Sequence, residues 1–158
     1  MDYVQDIKDF IDALTISSLN IFGHSMGGHG ALTIGLKNLG VYQSISAFAP
    51  ISNPINCPWG QKALSNYLGD DQSMWAQYDA CELIKSLQTP PVNPILIDQG
   101  LDDQFLEGEL HPNFLERACD EYGVQLKLRR HKGYDHGYYF IETFIEDHLS
   151  HHAAILRV

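Results

Sequence analysis

The sequence predicts an α/β fold in which a mostly parallel sheet carries helices on both faces. Short apolar runs typical of strands alternate along the chain with longer segments that have helical periodicity. Two of those runs are almost wholly apolar, as expected of parallel strands that are buried on both faces. With 158 residues, 44% of them hydrophobic and 19% charged, the chain suits a single globular domain.

Hydrophobic periodicity and chain breakers locate the individual elements. A first amphipathic helix is expected at residues 3–14, where apolar side chains recur at helical spacing. Further helices are predicted at residues 26–38, 61–68, 73–87, 112–122 and 138–155. Strands are predicted at residues 19–22, 44–49, 94–98 and 124–130. The three prolines within residues 50–60 predict a loop there.

The composition excludes several classes of function. Ten Lys and Arg against twenty Asp and Glu give a formal charge of -10, so neither a nucleic-acid-binding surface nor attraction to anionic lipid is expected. The apolar stretches are too short to span a bilayer and the amino terminus has no basic leader, so a cytoplasmic protein is expected. The cysteines, Cys57, Cys81 and Cys119, form no CxxC pair and are predicted to be reduced thiols.

One short motif carries chemistry. Gly23-His24-Ser25-Met26-Gly27 is a G-x-S-x-G sequence between a predicted strand and a predicted helix, the context of a nucleophile elbow. Such a tight turn predicts a strained backbone at Ser25, and glycines at both flanks because side chains there would collide with the strand and the helix. The backbone N–H of Met26, at the start of the helix, is the expected donor to a developing oxyanion.

A serine nucleophile needs a histidine base and an orienting acid, in the chain order Ser, Asp or Glu, His. The strand predicted at residues 94–98 leads into a turn that contains Asp102 and Asp103, and both fit the acid by spacing. Asp98 is less favoured because it lies within the strand. His136, in the loop between the last predicted strand and the last helix, is the expected base.

The carboxy-terminal histidines allow a different interpretation. His148, His151 and His152 share one face of the last predicted helix, so a metal site is one hypothesis. No carboxylate or cysteine pattern completes a tetrahedral set of ligands around them. A solvated helix face is therefore preferred, and no bound metal is expected.

These segments resemble S-formylglutathione hydrolase, also called esterase D, a family with the α/β-hydrolase fold. The matching segments occur in family order over nearly the whole chain, and their combination is more specific than the elbow alone. They include the elbow extended to Gly30, Cys57-Pro58-Trp59-Gly60, Ile95 to Phe105, and Gly133-Tyr134-Asp135-His136.

The resemblance implies a serine hydrolase that cleaves the thioester S-formylglutathione to glutathione and formate, a step of formaldehyde detoxification. Such enzymes also cleave small carboxylic esters. The resemblance puts the nucleophile on Ser25, the base on His136 and the acid on Asp103. It implies no metal and no organic cofactor.

The resemblance also suggests where substrate is contacted. Trp59 and Cys57 match a loop beside the family's pocket, so both are candidate substrate contacts. For Trp59, packing against the proline-rich loop is an equal alternative. His24, next to the nucleophile in sequence, is a third candidate contact.

In the family the nucleophile follows the fifth of eight strands, whereas one predicted helix and one strand precede Ser25 here. Residues 1–158 are therefore expected to form a single partial domain that lacks the amino-terminal strands and the loop that supplies a second oxyanion donor. Such a chain is expected to be weakly active or inactive, and its exposed edge strand favours a homo-oligomer. The alternatives are a general carboxylesterase of small acyl esters and an inactive fragment.

Overall fold

A parallel sheet of four strands forms the centre of the computed structural model, which describes residues 18–156. The strands lie side by side in chain order, and each neighbouring pair is parallel. Their bounds are Leu19–His24 for β1, Tyr42–Phe48 for β2, Ile95–Gly100 for β3 and Leu126–His131 for β4. The four predicted strands are confirmed, with ends that differ by one or two residues. The helix predicted at residues 3–14 lies outside the described residues.

Five α-helices connect and cover the strands within residues 18–156. They are α1 (Met26–Lys37), α2 (Pro58–Leu68), α3 (Ala80–Ser86), α4 (Pro112–Tyr122) and α5 (Tyr138–Leu156). Helix α2 starts three residues earlier than predicted because Pro58 occupies its first turn, where a missing N–H costs no hydrogen bond. Short turns complete the connections, at Pro54–Asn56, Gln72–Tyr78 and Leu106–Leu110.

The prediction of one continuous helix over residues 73–87 is wrong, because Asp79 interrupts it. The Asp79 carboxylate accepts hydrogen bonds from the backbone N–H groups of Cys81 and Glu82, at 2.9 and 3.1 Å, and so caps α3. It also accepts a 2.9 Å hydrogen bond from the side chain of Asn53. An N-cap residue has non-helical dihedral angles, so the periodic segment divides here. The same carboxylate fixes the loop after β2 to α3.

Two cores lie on opposite faces of the sheet, and the side-chain alternation of β2 separates them. Ile45 and Ala47 point to one face, where they pack with α1, α3 and α4. Phe48 points to the other face, where it packs edge-on against Phe140 of α5. The predicted α/β architecture with helices on both faces is therefore confirmed.

The inner face of α5 meets buried polar groups rather than solvent. His148 and His152 are 0% and 5% exposed, so the prediction of a solvated face at His148, His151 and His152 is wrong. The Nδ1 atom of His148 lies 2.8 Å from Ser46 Oγ. The two ring nitrogens of His152 lie 2.6 Å from Ser44 Oγ and 2.8 Å from Ser46 Oγ. The alternate serines of β2 thus supply partners for the histidines of α5.

The carboxylate of Asp98 in β3 also lies among these buried polar groups beneath α5. Both of its oxygens accept hydrogen bonds from Arg129 of β4, and His148 Nε2 lies 3.3 Å away. Burial would raise the pKa of Asp98, but hydrogen bonds from His148 and Arg129 outweigh it and lower this pKa to about 2. Asp98 is therefore ionised and paired within the core, which gives it a structural role.

Strand β1 lies at one edge of the sheet as the described residues form it, and it pairs there with β2. The side chain of Phe22 in this strand is 47% exposed. The described helices include none that is long and apolar enough to cross a membrane. Cys57, Cys81 and Cys119 are buried free thiols, as predicted.

Candidate active site

Ser25 occupies a tight turn between the end of β1 and the start of α1. Its dihedral angles are φ 56° and ψ -115°, in the positive-φ region that residues with side chains rarely adopt, so the predicted strained turn is confirmed. Two backbone hydrogen bonds of 2.9 Å hold it: Ser25 N–H donates to Phe48 O, and His29 N–H donates to Ser25 O. The sheet and the helix thus stabilise the strained residue from both sides.

Close packing explains only part of the glycine pattern around Ser25. A Cβ atom at Gly23 would lie 2.2 Å from the carbonyl oxygen of Gly27, far inside contact distance. Nothing comes within 4 Å of a Cβ atom at Gly27, so the prediction of a collision there is wrong. On the helix side it is Gly28 that packs closely, because its Cβ atom would lie 3.0 Å from Pro50. The elbow therefore depends on Gly23 and Gly28.

Helix α1 presents backbone donors beside Ser25. The first N–H groups of a helix have no acceptor within the helix, and the positive end of the helix dipole lies there. Met26 is the first residue of α1, and its side chain lines the pocket that Ser25 also lines. The N–H of Met26 is thus at the helix end where a negative charge next to Ser25 would be stabilised.

His136 and Asp103 form a close pair, whereas Asp102 is exposed. His136 Nδ1 lies 2.6 Å from Asp103 Oδ2, and the other oxygen of this carboxylate accepts a 2.8 Å hydrogen bond from Phe105 N–H. An ionised carboxylate only accepts, so the proton of a neutral His136 belongs on Nδ1. That tautomer leaves Nε2 as an acceptor, which a general base requires. The structure therefore brings Asp103, and not Asp102, to His136.

A close approach of two loops makes this pair possible. Strands β3 and β4 are parallel neighbours, so their carboxyl ends meet at the same edge of the sheet. A Cβ atom at Gly100, the last residue of β3, would lie 2.3 Å from Tyr134 O. Asp102 N–H donates to the same carbonyl oxygen at 3.0 Å. The absence of a side chain at Gly100 thus lets the loop with His136 close on the turn with Asp103.

Two aromatic rings flank the imidazole of His136. The ring of His24 lies 4.5 Å away between centroids, and the ring of Phe105 lies 5.0 Å away and edge-on. Phe105 also lines the pocket beside Ser25, so His136 packs against a residue of the pocket wall. No side chain within residues 18–156 hydrogen-bonds the Ser25 hydroxyl, and the bond between a catalytic serine and its base often tightens only with substrate bound.

The pocket beside Ser25 has a volume of about 210 Å³. Its walls are mostly apolar and are formed by Met26, Ile51, Trp59, Phe105, Glu109 and Leu110. Phe105, Glu109 and Leu110 were not predicted to line a pocket. They belong to the turn that follows Asp103, so their closeness in sequence to the candidate acid was the signal available.

The three candidate substrate contacts differ in position. Trp59 lines the pocket, and its backbone N–H donates a 3.0 Å hydrogen bond to the Glu109 carboxylate. Cys57 is fully buried and does not line the pocket, and burial with the nearby Glu109 raises its pKa to about 12, so it is a neutral thiol. His24 packs against His136, and burial and that ring together lower the pKa of His24 below its usual range.

The groups described above suit acyl transfer. Ser25 provides a hydroxyl on a strained turn, His136 a ring nitrogen and Asp103 a carboxylate behind the ring, while the start of α1 provides N–H donors. Residues 18–156 contain no group of three or more His, Cys, Asp or Glu side chains arranged to hold a metal ion.

Known proteins share this chain's sequence and fold. The family model described as "Putative esterase" matches residues 6–151. The S-formylglutathione hydrolase of Arabidopsis thaliana is 57% identical over 152 residues, which cover 96% of this chain and 53% of that protein. The S-formylglutathione hydrolase of Rattus norvegicus is 58% identical over 140 residues, 88% of this chain and 49% of that protein. A solved S-formylglutathione hydrolase from Agrobacterium tumefaciens superposes with a TM-score of 0.88 at 46% identity, over 96% of this chain and 55% of that chain.

The chain spans about half the length of the curated relatives it matches. Over that span the similarity is high in both sequence and fold, and it includes the elbow and both loops that carry Asp103 and His136. The predicted resemblance to S-formylglutathione hydrolases and the predicted α/β-hydrolase fold are therefore confirmed. The chain belongs to the esterase family.

Proposed function

We propose that this chain carries the nucleophile, base and acid of a serine hydrolase of the S-formylglutathione hydrolase type. The strongest support is the 2.6 Å pair of Asp103 and His136, whose ring packs against Phe105 in the wall of the pocket that the strained Ser25 lines. In this proposal Ser25 attacks the substrate, His136 moves the proton, and Asp103 holds the imidazole in the required tautomer and stabilises its charged form.

The first half-reaction forms an acyl-enzyme. His136 Nε2 takes the hydroxyl proton while Ser25 Oγ bonds to the acyl carbon, and the carbonyl oxygen becomes an oxyanion. The N–H of Met26 donates a hydrogen bond to that oxyanion. When the carbon–sulfur bond breaks, the thiolate takes the proton from His136 and leaves as a thiol. Ser25 then carries the acyl group as an ester.

The second half-reaction releases the acid. His136 Nε2 takes a proton from water, and the resulting hydroxide attacks the ester carbon. The ester bond to Ser25 Oγ breaks, and the proton returns from His136 to that oxygen. The products are the carboxylic acid and the free serine, so the cycle needs no cofactor beyond water.

The proposed substrate class is a small acyl thioester. A pocket of about 210 Å³ with mostly apolar walls suits a short acyl group. Relatives at 57% and 58% identity are named S-formylglutathione hydrolase, so we propose S-formylglutathione, with formate and glutathione as products. The apolar walls also favour a second candidate, a general carboxylesterase of small acyl esters.

The isolated chain is proposed to be slower than its longer relatives. Within residues 18–156, Met26 N–H is the backbone donor that we assign to the oxyanion. Loss of one of two such donors lowers the rate of a well-studied hydrolase about 10²- to 10³-fold. A measurable but reduced rate is therefore expected.

The test is hydrolysis of S-formylglutathione by the purified chain, beside Ser25→Ala and the control Ser150→Ala. Ser150 is an exposed residue of α5, so its substitution matches the chemical change far from the pocket. The proposal predicts release of thiol by the chain and by Ser150→Ala, and none above background by Ser25→Ala. Serine-dependent hydrolysis of an aryl acetate without thioester hydrolysis would favour the carboxylesterase. A folded chain that hydrolyses neither compound would contradict the proposal.

A further inference from the structure

Gln99 is a fully buried polar residue close to the proposed acid. It is the penultimate residue of β3, 0% exposed, and lies four residues before Asp103. It also lines a second cavity, of about 320 Å³, which shares no lining residue with the pocket at Ser25. Gln99 therefore does not contact that pocket and touches the site through Asp103.

The nitrogen and the oxygen of the Gln99 amide differ in their hydrogen-bond partners. Its Nε2 atom lies 3.0 Å from Gly100 O and 3.4 Å from Asp103 Oδ2. Both partners are acceptors, so the amide must present its nitrogen to them. The Oε1 atom is buried and has no hydrogen-bond partner in the part of the chain that the structure describes.

The unpaired oxygen shows which end of the amide matters. A buried oxygen without a partner is unfavourable, and a methionine of similar volume would avoid that cost. What the amide contributes, and an apolar side chain could not, is its pair of N–H donors.

One of those donors acts on a carboxylate oxygen that His136 also binds, and the other on the carbonyl oxygen of Gly100. Asp103 Oδ2 accepts from both His136 Nδ1 and Gln99 Nε2, while Oδ1 accepts from Phe105 N–H. Three donors on two oxygens fix the plane of the carboxylate. Without Gln99, the Phe105 N–H and His136 itself would be left to orient Asp103.

We propose that Gln99 is a positioning residue that fixes the Asp103 carboxylate for its hydrogen bond to His136. It acts through Asp103 and touches no reacting atom. The proposal rests on the proposed function, because it assigns Gln99 to the orientation of the same base.

The test compares the chain with Gln99→Met, Gln99→Glu and the control Gln43→Glu. Gln99→Met keeps the approximate volume and removes both donors, whereas Gln99→Glu replaces the NH₂ group by oxygen at nearly the same size. Gln43 is exposed on β2, so its substitution makes the same charge change away from the site. The first measurement is the low-field proton resonance of His136 Nδ1–H, assigned by its absence in His136→Ala. The second is the rate of labelling by a fluorophosphonate per folded molecule.

We expect Gln99→Met to broaden or move the His136 resonance, to leave the ring signals of His148 unchanged, and to slow labelling about tenfold. For Gln99→Glu, we compare the labelling rate with that of the parent at the same pH. We expect this ratio to be lower at pH 8 than at pH 5. At low pH the introduced carboxyl group is protonated and can donate to Asp103, whereas at high pH two acceptors face each other. A purely structural role would not produce this dependence.

The proposal is overturned if both Gln99 variants keep the His136 resonance at its parental position and label within twofold of the parent at each pH. If Gln99→Met does not fold, the labelling rates and the His136 resonance of Gln99→Glu are sufficient to test the proposal. Failure of the proposed function gives a different result, because the folded parent would then not be labelled while the resonance comparison still tests Gln99.

Discussion

Two Asp–His pairs among the described residues differ in their surroundings. Next to Phe105 of the pocket wall, His136 Nδ1 lies 2.6 Å from Asp103, and no described residue hydrogen-bonds its other ring nitrogen. Beneath α5, His148 Nε2 lies 3.3 Å from Asp98 and His148 Nδ1 lies 2.8 Å from Ser46. Both nitrogens of the buried ring therefore have partners, whereas Nε2 of His136 has no hydrogen-bond partner among the described residues.

The charges around the two carboxylates differ as well. Arg129 binds both oxygens of Asp98, so that pair is neutralised inside the core. Asp103 is bound instead by the N–H groups of Phe105, His136 and Gln99, which orient the carboxylate without adding a fixed positive charge. An Asp–His contact alone therefore does not identify a catalytic pair. The proposed assignment of His136 as the base rests instead on its second ring nitrogen, which no described residue binds.

The largest expected effect is on the hydrolysis rate, and it should distinguish His136 from His148. His136→Ala should lower the rate of aryl acetate hydrolysis at least about 10³-fold with little loss of stability, because only the proposed base is removed. His148→Ala should leave the rate per folded molecule within about twofold but lower stability, because it removes partners of Ser46 and Asp98 from the core. Steady-state kinetics and urea unfolding on both variants check this. Equal rate losses in the two variants would contradict the assignment of different roles to His136 and His148.

Substitutions of Asp103 and Asp98 should likewise differ in their effects on rate and on stability. Asp103→Asn should lower kcat/KM by up to about 10⁴-fold, since the amide favours the wrong tautomer of His136. Asp98→Asn should cost about 3 kcal/mol of stability, because it leaves the Arg129 guanidinium without its buried partner. The rate per folded molecule should barely change in Asp98→Asn. A stability loss in Asp103→Asn as large as that in Asp98→Asn would contradict the assignment of separate roles.

Acid should lower the free energy of unfolding by protonating His152, which is buried against Ser44 and Ser46 of β2. Burial, with His151 and His148 nearby, lowers the pKa of His152 to about 4. The unfolded chain binds this proton near pH 6.5 and the folded chain resists it, so the stabilisation is complete above pH 6.5 and falls as the pH drops toward 4. The loss is on the order of 3 kcal/mol. Asp98, with a pKa of about 2, keeps its contribution above pH 4 and loses it only as the pH falls through 2.

Urea unfolding between pH 7 and pH 4 measures this dependence, with His152→Gln as the comparison. The variant should show a shallower fall in unfolding free energy, whatever its stability at pH 7. Parallel curves for the two proteins would show that His152 does not carry the effect.

The smallest expected effect concerns the pocket wall. Trp59→Ala should raise KM for an aryl ester roughly tenfold and change kcat little, because Trp59 lines the pocket but does not touch the His136 pair. Tyr67→Ala is the matched control, an aromatic residue on the same helix that is 83% exposed. A large fall in kcat for Trp59→Ala would place this side chain in the chemistry rather than in binding.

Local patterns predicted much of the fold and of the candidate site. The elbow, the strands and the loop with His136 follow from glycine and proline positions and from apolar periodicity. Spacing could not separate Asp102 from Asp103, because the turn geometry that directs Asp103 to His136 depends on contacts with Phe105 N–H and on the close approach at Gly100.

The face of α5 shows why periodicity is insufficient. Polar residues at helical spacing normally indicate solvent, and His148 and His152 fit that pattern in the sequence. Their burial depends on a distant strand, where Ser44 and Ser46 alternate with apolar residues. Those two serines in an otherwise apolar strand were the available signal, since buried hydroxyls need partners.

Mass spectrometry of the chain after treatment with a fluorophosphonate shows whether His136 activates Ser25. Only an activated serine reacts, so one adduct is expected, on Ser25, in the parent and in His148→Ala, and none in His136→Ala. A folded parent without an adduct, or an equal adduct on Ser25 in His136→Ala, would contradict the assignment of His136 and Ser25 as a base and its nucleophile.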